Sequence, residues 1–150
     1  MGMQFGKIRA ALADAARAVV LPPGVKGSLT CDGYTPDSVN EPHFFVGEFS
    51  AEYDKTFRGM DEAEFTCRVL VGRGDDRAAQ EVLDALLSRG GPSSLKSAIE
   101  AARGAPGQPA LGGLADDLHV TRMQGYRWYE HNGFQYVGAE LVVRVIGDGS

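Results

Sequence analysis

Apolar residues in the last third of the chain recur at every second position, which is the period of a β-strand. Two runs rich in Val, Tyr, Trp and Leu, residues 119–130 and 134–146, flank His131-Asn132-Gly133. Asn-Gly favours a type I′ turn, because both central residues of that turn need a positive φ. The pattern predicts one long C-terminal β-hairpin, whose arms of about twelve residues would reach about 40 Å. A compact chain of this length has a radius of gyration of about 15 Å, so we expect the hairpin to overhang its domain and to contact a partner chain.

Three other segments repeat apolar residues every three or four positions, which is the period of an amphipathic helix. They cover residues 5–19, residues 77–88, where one of the two preceding aspartates is the cap, and residues 94–102, where Ser93 or Ser94 is the cap. The second segment has the clearest apolar stripe. It consists of Ala78, Ala79, Val82, Leu83, Leu86 and Leu87.

Alternating runs between the first two helices predict shorter strands. They fall at residues 25–31, 43–46, 52–57 and, most clearly, 64–71. We expect the helix stripe to pack on the hairpin face formed by Val137, Ala139, Leu141, Val143 and Val145. The predicted fold class is α+β: one domain over residues 1–150, with a mixed, mostly antiparallel sheet and a long C-terminal hairpin packed against two to three helices. The Gly- and Pro-rich segment 104–113 predicts an exposed, mobile loop.

Composition is typical of a single domain with one core, at 150 residues, 43% hydrophobic and 23% charged. No apolar run approaches the roughly twenty residues that cross a bilayer, and the first twenty residues have no secretory pattern. We therefore expect the chain to act where it is made, away from membranes. Cys31 and Cys67 lack C-x-x-C spacing, and the apolar residues that alternate with Cys67 predict a buried free thiol.

The net charge of −5 is unevenly distributed along the chain. Residues 32–64 contain nine acidic and two basic residues, a local net charge of −7, so the remainder is about +2. This distribution argues against a sequence-reading DNA-binding protein, which needs a basic surface. Two interpretations stay open: a solvated acidic face, or an acidic surface that faces a basic partner or a passage for nucleic acid. The residues assigned to this surface are Glu48, Glu52, Asp54, Asp61 and Glu62.

No motif in the chain predicts catalysis. Gly72-Arg73-Gly74 lies between a strand and a helix but lacks the third Gly of a dinucleotide fingerprint and the Gly-Lys-Ser/Thr of a P-loop, so a simple turn explains it better. Asp116, Asp117 and His119 lie close in sequence, yet no second His or Cys cluster completes a metal site. A catalytic triad assembled from distant positions stays open. We predict no catalytic residue, no cofactor and no metal.

Five aromatic residues and an arginine gather around the predicted hairpin tip. Three interpretations stay open: a subunit or partner interface, where aromatics and Arg are enriched, ordinary cross-strand packing, and a stacking platform for single-stranded nucleic acid. The small number of arginines on the arms disfavours the third. The candidate interface residues are Tyr126, Arg127, Trp128, Tyr129, Phe134 and Tyr136.

The elements also follow one another in a specific order with specific phrases. An N-terminal helix is followed by Pro-Asp-Ser-Val-Asn-Glu-Pro at 36–42, Phe-Thr-Cys-Arg-Val-Leu-Val-Gly-Arg at 65–73, Ser-Ser-Leu-Lys-Ser-Ala-Ile-Glu at 93–100 and Tyr-Val-Gly-Ala-Glu-Leu-Val-Val-Arg-Val at 136–145. Over residues 3–146 this arrangement resembles the tail terminator proteins of long-tailed (siphovirus-type) bacteriophages. The Gly/Pro insert at 105–110 departs from the family pattern.

The resemblance implies a role in the virion. It implies a mixed α/β fold and a ring of six copies that caps the tail tube and joins it to the head at the neck, in a protein made in the host bacterial cytoplasm. The implied partners are further copies of the chain, the major tail tube protein, the head–tail connector or stopper protein, and DNA that passes through the lumen without sequence-specific binding. The alternatives are a head-completion or connector protein of the neck and, from other classes, a small binding module or an enzyme with a dispersed site.

Overall fold

The computed structural model describes residues 4–23, 29–36, 42–53, 60–73, 77–103, 109–131 and 133–148. These residues form three α-helices, α1 (Phe5–Ala16), α2 (Arg77–Leu86) and α3 (Leu95–Glu100), and five strands, β1 (Thr30–Asp32), β2 (His43–Glu52), β3 (Met60–Arg73), β4 (Asp117–His131) and β5 (Phe134–Asp148). Two short 3₁₀ helices, Ala101–Arg103 and Leu111–Gly113, lie between α3 and β4. The predicted α+β class is confirmed.

All five strands belong to one open sheet with the order β1-β2-β3-β5-β4. The β1–β2 pair is parallel, and the β2–β3, β3–β5 and β5–β4 pairs are antiparallel. The sheet is therefore mixed and mostly antiparallel, as the sequence predicts.

The C-terminal hairpin has nearly the predicted limits. β4 and β5 pair from Asp117 opposite Ile146 to His131 opposite Phe134, which leaves a two-residue turn. Gly133 has a φ of 84°, a conformation that glycine adopts without a steric penalty. Asn132, the other turn residue, lies outside the described residues.

The predicted overhang of the hairpin is wrong for β5. β5 pairs with β3 on its second side, from Asp148 opposite Met60 to Tyr136 opposite Arg73. The reason is the length of β3, which has 14 residues and extends well beyond the predicted limits 64–71. Only the tip passes the end of this pairing, and there the His131 ring lies 2.8 Å from the Pro36 carbonyl oxygen. β4 alone remains an edge strand of the hairpin.

β2 is one strand where the sequence predicts two. Gly47 does not end the strand; the register of β2 against β3 shifts between Val46 and Phe49, which is a bulge. A Cβ at Gly47 would lie 3.1 Å from the Thr66 carbonyl oxygen, so a side chain would crowd the bulge. Residues 54–57 of the predicted strand at 52–57 lie outside the described residues.

The helices cover one face of the sheet, and the main core lies between the helices and that face. Leu83 and Leu86 of α2 are fully buried in the same cluster as Val69 and the predicted hairpin face around Leu141. The predicted packing of this stripe is confirmed, although α2 lies mainly over β3 and contacts β5 less. Ala78, which we placed on the stripe, is exposed. Among the described residues, no helix has the length and apolar character needed to cross a membrane.

Both cysteines are buried free thiols, as predicted for Cys67. Burial raises the pKa of Cys31 and of Cys67 to about 12. A thiol with such a pKa stays protonated near neutral pH, so each of these side chains behaves as a small apolar group.

The end of the Gly- and Pro-rich segment is ordered, in contrast to the predicted exposed loop. Leu111–Gly113 forms a 3₁₀ helix, the Leu111 side chain is buried, and Ala110 N–H donates to the Ala115 carbonyl at 2.8 Å. Packing of Leu111 into the main core explains the difference. Residues 104–108 lie outside the described part of the chain.

Candidate assembly surfaces

The sheet face opposite the helices carries a polar cleft of about 510 Å³. At its centre the Arg68 guanidinium donates to Glu140 at 3.0 Å and lies 4.3 Å from the centroid of the Tyr129 ring. The Gln124 amide also donates to Glu140, at 3.3 Å. The two charges in the middle of the cleft are thus paired within the chain. The cleft is lined by Thr35, Phe45, Gly47, Glu48, Thr66, Arg68, Arg127 and Glu140.

Two of the predicted interface residues are used inside the chain. Tyr129 and Tyr136 are only 6% and 5% exposed and form a small apolar cluster with Phe45 and Leu70 on the open face. The Tyr129 hydroxyl donates to the Gly125 carbonyl at 2.5 Å. Burial, followed by the nearby Glu140 carboxylate, raises the pKa of Tyr129 above its usual value. Their burial leaves little of either side chain for a partner.

The other predicted interface residues lie on the edge strand β4 or at the hairpin tip. Tyr126 and Trp128 are exposed, Trp128 to 59%, and so is Phe134 at the tip. Met123 on the same strand, which the sequence did not indicate, is also exposed. Burial, together with a hydrogen bond to Asp84 of α2, raises the pKa of Tyr126. These side chains form an aromatic ridge along one edge of the sheet.

β4 also carries two arginines, whose side chains lie on the open face of the sheet, whereas the ridge lies on the helix-covered side. The Arg122 Nε donates to the Gln124 side chain at 3.0 Å, and the Arg127 guanidinium lies 4.8 Å from the Tyr129 ring centroid. Both arginines are exposed. We call this region the β4 edge surface, and it consists of Arg122, Met123, Tyr126, Arg127 and Trp128.

β4 is irregular where the ridge lies. Its register against β5 shifts between Val120 and Arg122 and again between Gln124 and Arg127. Gly125, in the second shift, has a φ of 65°, and a Cβ there would come within 2.5 Å of the Tyr129 hydroxyl. Bulges on an edge strand oppose the addition of another strand. This edge therefore offers side chains, more than main-chain groups, to a partner.

The acidic residues assigned from the sequence divide between the two faces of the sheet. Glu52 and Glu62 lie directly opposite each other and, with Ser50 and Glu64, line a hollow of about 180 Å³ on the open face. Arg144 Nε lies 3.6 Å from Glu62 Oε1. Glu48 is exposed at the β2 bulge, near the polar cleft.

The other two acidic residues assigned from the sequence, Asp61 and Asp54, are not among the carboxylates on the open face. Asp61 is only 7% exposed, and strand alternation places it on the helix-covered side of β3, beside Ala63. Its carboxylate is therefore not part of an exposed acidic face of the single chain. Asp54 lies outside the described residues.

A second open edge lies along the later half of β2, which the sequence did not indicate. β1 pairs only with His43–Phe45, and among the strands that the structure describes only β3 pairs with the rest of β2. The Arg9 guanidinium donates to the Val46 and Gly47 carbonyls at 2.9 and 3.1 Å. Phe49 is 38% exposed, with its ring stacked on that of Phe65 at 5.1 Å between the centroids, and Tyr53 is 69% exposed. Glu48 and Glu52 on the same stretch are also exposed. We call Glu48, Phe49, Glu52 and Tyr53 the β2 edge surface.

A buried histidine holds β1 against β2. His43 Nδ1 contacts the Thr30 hydroxyl, and Nε2 lies 3.3 Å from an Asp32 carboxylate oxygen. Burial lowers the pKa of His43 despite the opposing effect of Asp32. The Thr30 hydroxyl also lies 3.1 Å from the Pro42 carbonyl oxygen. These polar contacts reinforce the pairing of the three-residue β1 with β2.

The acidic and histidine residues at the start of β4 serve different partners. Arg103 Nε donates to Asp117 at 2.7 Å, whereas His119 Nδ1 lies 2.9 Å from a Glu100 oxygen. Within the described ranges, no group of three or more His, Cys, Asp or Glu side chains is arranged to hold a metal ion. The predicted turn at Gly72-Arg73-Gly74 is wrong for its first two residues, which belong to β3 and pair with Val137 and Tyr136 of β5, and Gly74 lies outside the described ranges.

No protein-family model matches this chain, and no curated protein is significantly similar to it. The functional proposal accordingly rests on the surfaces described above and on the order of elements in the sequence.

Proposed function

We propose that this chain is a structural protein of a bacteriophage neck. In this proposal, copies of the chain form a ring that ends the tail tube and joins it to the head–tail connector. The observation that carries the proposal is the β4 edge surface: an edge strand with an exposed ridge of Met123, Tyr126 and Trp128 on its helix-covered side and two exposed arginines on its open face. The order of elements, which resembles that of tail terminator proteins, supplies the ring of six and the identity of the partners.

The composition of the ridge supports a contact between protein subunits. Tyr, Trp, Met and Arg are enriched at the buried centres of protein interfaces. A head-to-tail contact that closes by rotation makes a ring in which every subunit is equivalent. Each contact should bury more than roughly 1,000 Å² in total to be stable. The ridge lies along a 15-residue edge strand, which is long enough to contribute a large part of such an area.

The carboxylates on the open face support a surface that nucleic acid does not adhere to. Glu52 lies opposite Glu62, and both line one hollow of the open face together with Glu64. In a ring whose open sheet faces turn inward, Glu62 and Glu64 repel the phosphates of passing DNA. The same carboxylates also suit a basic partner at one end of the ring.

Two other functions share some of these features. A head-completion or connector protein of the neck would use the same surfaces to bind the connector and not the tube. A small binding module is favoured by the polar cleft, in which Arg68 and Glu140 face each other. Binding to purified tail tube separates the first alternative, and a thermal shift with small polar ligands separates the second.

The direct test is the mass of the purified protein, measured alone and after mixing with tail tube protein. The proposal predicts a closed oligomer that binds the end of the tube and stops its growth. A chain that remains monomeric in both conditions, or an oligomer that binds connector but not tube, would contradict it.

A further inference from the structure

The two open edges of the sheet carry surfaces of opposite charge. The β4 edge surface combines aromatic side chains with Arg122 and Arg127, whereas the β2 edge surface combines Phe49 and Tyr53 with Glu48 and Glu52. Three strand spacings of about 4.8 Å separate β2 from β4, so the surfaces lie roughly 14 Å apart on opposite sides of one copy. Each surface is thus placed to face a different neighbour.

We propose that the β4 edge surface of one copy docks on the β2 edge surface of the next copy. This inference rests on the proposed ring and names the two surfaces that build it. Aromatic and methionine side chains form the dry centre of the contact. The arginines of one copy pair with the glutamates of the next.

The uneven charge of the chain agrees with this pairing. Of the acidic residues in segment 32–64 that the structure describes, Asp32, Glu48 and Glu52 lie on β1 and β2 at the β2 side of the sheet, and the others lie on the central strand β3. Residues 121–128 of β4, at the other side, carry only Arg122 and Arg127 as charged residues. Complementary potentials of this kind orient partners and accelerate their encounter.

Charge also selects a head-to-tail contact over a symmetric one. Two β4 edges in contact would bring arginines together, and two β2 edges would bring glutamates together; like charges at an interface cost several kcal/mol. A contact between the two different edges removes both conflicts. Because these edges lie on opposite sides of the chain, the contact repeats from copy to copy, and it closes into a ring when the rotation allows.

Side chains, more than main-chain groups, make this contact. On the β2 edge, the Arg9 guanidinium already donates hydrogen bonds to the Val46 and Gly47 carbonyls. On the β4 edge, the Tyr129 hydroxyl donates to the Gly125 carbonyl. The β4 bulges further oppose strand addition. The sheets of neighbouring copies therefore meet edge to edge without forming one continuous sheet.

Charge reversal tests the contact directly. One variant carries Arg122→Glu with Arg127→Glu, and the other carries Glu48→Arg with Glu52→Arg. Each variant alone should self-associate about tenfold more weakly than wild type or worse, because its two edges then have the same sign. An equal mixture should assemble again, since each reversed edge finds an opposite charge on the other variant. Native mass spectrometry should show the two variants alternating in a one-to-one ratio.

Matched controls separate the contact from a general effect of charge. Arg77→Glu with Arg89→Glu matches the net-charge change of the arginine reversal, and Glu81→Arg with Asp116→Arg matches that of the glutamate reversal. All four control positions are exposed, and both controls should assemble like wild type. Far-UV circular dichroism and urea unfolding verify that each variant is folded. If a reversal unfolds the chain, Arg122→Gln with Arg127→Gln and Glu48→Gln with Glu52→Gln should still weaken assembly relative to the control.

The possible outcomes separate the contact between the two edge surfaces from the ring itself and from its function at the tail tube. A wild-type ring that is insensitive to either pair, or a mixture that fails to assemble, overturns this contact and leaves the proposed ring standing. A wild-type ring that depends on both edges but does not bind tail tube supports the contact and overturns the tube-terminating function. A wild-type chain that is monomeric alone and with tail tube overturns both.

Discussion

Among single residues, Glu100 connects two elements, α3 and β4, through one carboxylate. It accepts hydrogen bonds from Lys96 Nζ at 2.7 Å and from the Val120 backbone N–H at 3.0 Å, and it lies 2.9 Å from His119 Nδ1. Burial by itself would raise the pKa of Glu100, but the hydrogen bonds from Lys96 and Val120 outweigh it, so the pKa is lowered. This side chain fastens the end of α3 to the edge strand β4.

The lowered pKa of Glu100 predicts a dependence of stability on pH. A carboxyl group whose pKa is lower in the folded state stabilises the fold fully above its unfolded pKa, here 4.5, and the stabilisation declines as the pH falls below that value. Glu100→Gln should therefore flatten the loss of unfolding free energy between about pH 5 and about pH 3. Urea unfolding across that range measures the effect. Glu81→Gln, at an exposed position of α2, is the control. Equal acid dependence in wild type and Glu100→Gln would contradict the role of this carboxylate.

The buried leucines of α2 give a second prediction at this scale. Leu86 is fully buried against the sheet, so Leu86→Ala removes apolar burial and leaves a cavity. The expected loss of unfolding free energy is about 2–5 kcal/mol. Val20→Ala, at an exposed position, should change it by less than about half a kcal/mol. A loss as small as that for Leu86→Ala in urea unfolding would show that the helix does not pack as described.

At the scale of elements, the long β3–β5 pairing holds the hairpin within the domain. Gly138 of β5 lies where a Cβ would come 2.4 Å from the Val69 carbonyl oxygen and 2.7 Å from the Leu70 side chain. The two strands approach closely at this point because glycine has no side chain. A larger residue would have to move β3 away from β5.

Substitution of Gly138 tests this close approach. Gly138→Ala should lower the unfolding free energy by about 1–3 kcal/mol, because the clash involves a backbone atom that cannot rotate away. Gly90→Ala is the matched control, since a Cβ at Gly90 would meet nothing within 4 Å. Thermal unfolding of both variants measures the difference. Similar melting temperatures for the two variants would show that β3 and β5 accommodate a Cβ at residue 138 without moving apart.

Elements in which apolar residues recur at a regular spacing are predicted well from the sequence, because burial of one side of a helix or strand requires that spacing. The stripe around Leu83 and Leu86 and the alternation of Phe65, Cys67 and Val69 predict the α2–sheet packing, and Asn-Gly predicts the position of the hairpin turn. The cap of α3 is also predicted: the Ser94 hydroxyl accepts the Ser97 N–H at 3.1 Å.

Other features depend on contacts between distant parts of the chain. Gly47 leaves the end of a predicted strand uncertain and Gly125 falls within a predicted one, but each lies at a bulge whose partner strand is fixed only by the fold. Tyr129 and Trp128 are adjacent and equally aromatic, yet the pleat of β4 buries one and exposes the other. The β2 edge surface is not visible in the sequence, because it exists only where β1 stops pairing with β2.

At the scale of the whole molecule, the exposed ridge of β4 predicts an assembly defect without a folding defect. Tyr126→Ala with Trp128→Ala removes anchoring area from the proposed subunit contact, and exposed side chains contribute little to stability. The variant should unfold like wild type but stay monomeric, so that tail tubes grow past their normal length or fail to join heads. Light scattering and electron microscopy of tails measure the two effects, with Val20→Ala as the control. If the double variant formed normal rings, the exposed side chains of β4 would not be part of the subunit contact.

The acidic open face predicts how the assembled ring treats DNA. Replacing Glu62 and Glu64 by Lys should make rings retain DNA at low salt, and the retention should fall steeply as salt is added. Glu81→Lys with Asp116→Lys gives the same change of net charge elsewhere on the surface and should retain less. Equal retention by the two variants in a filter-binding assay would place Glu62 and Glu64 away from the lumen.

Electron cryomicroscopy of the virion neck would show directly whether this chain forms a ring at the end of a tail tube. We expect six copies in a ring at the head-proximal end of the tube, with the β4 edge surface of each copy against the β2 edge surface of the next. A neck without this chain, a single copy of it, or a ring in which residues 119–146 touch no neighbouring chain would contradict the proposed ring.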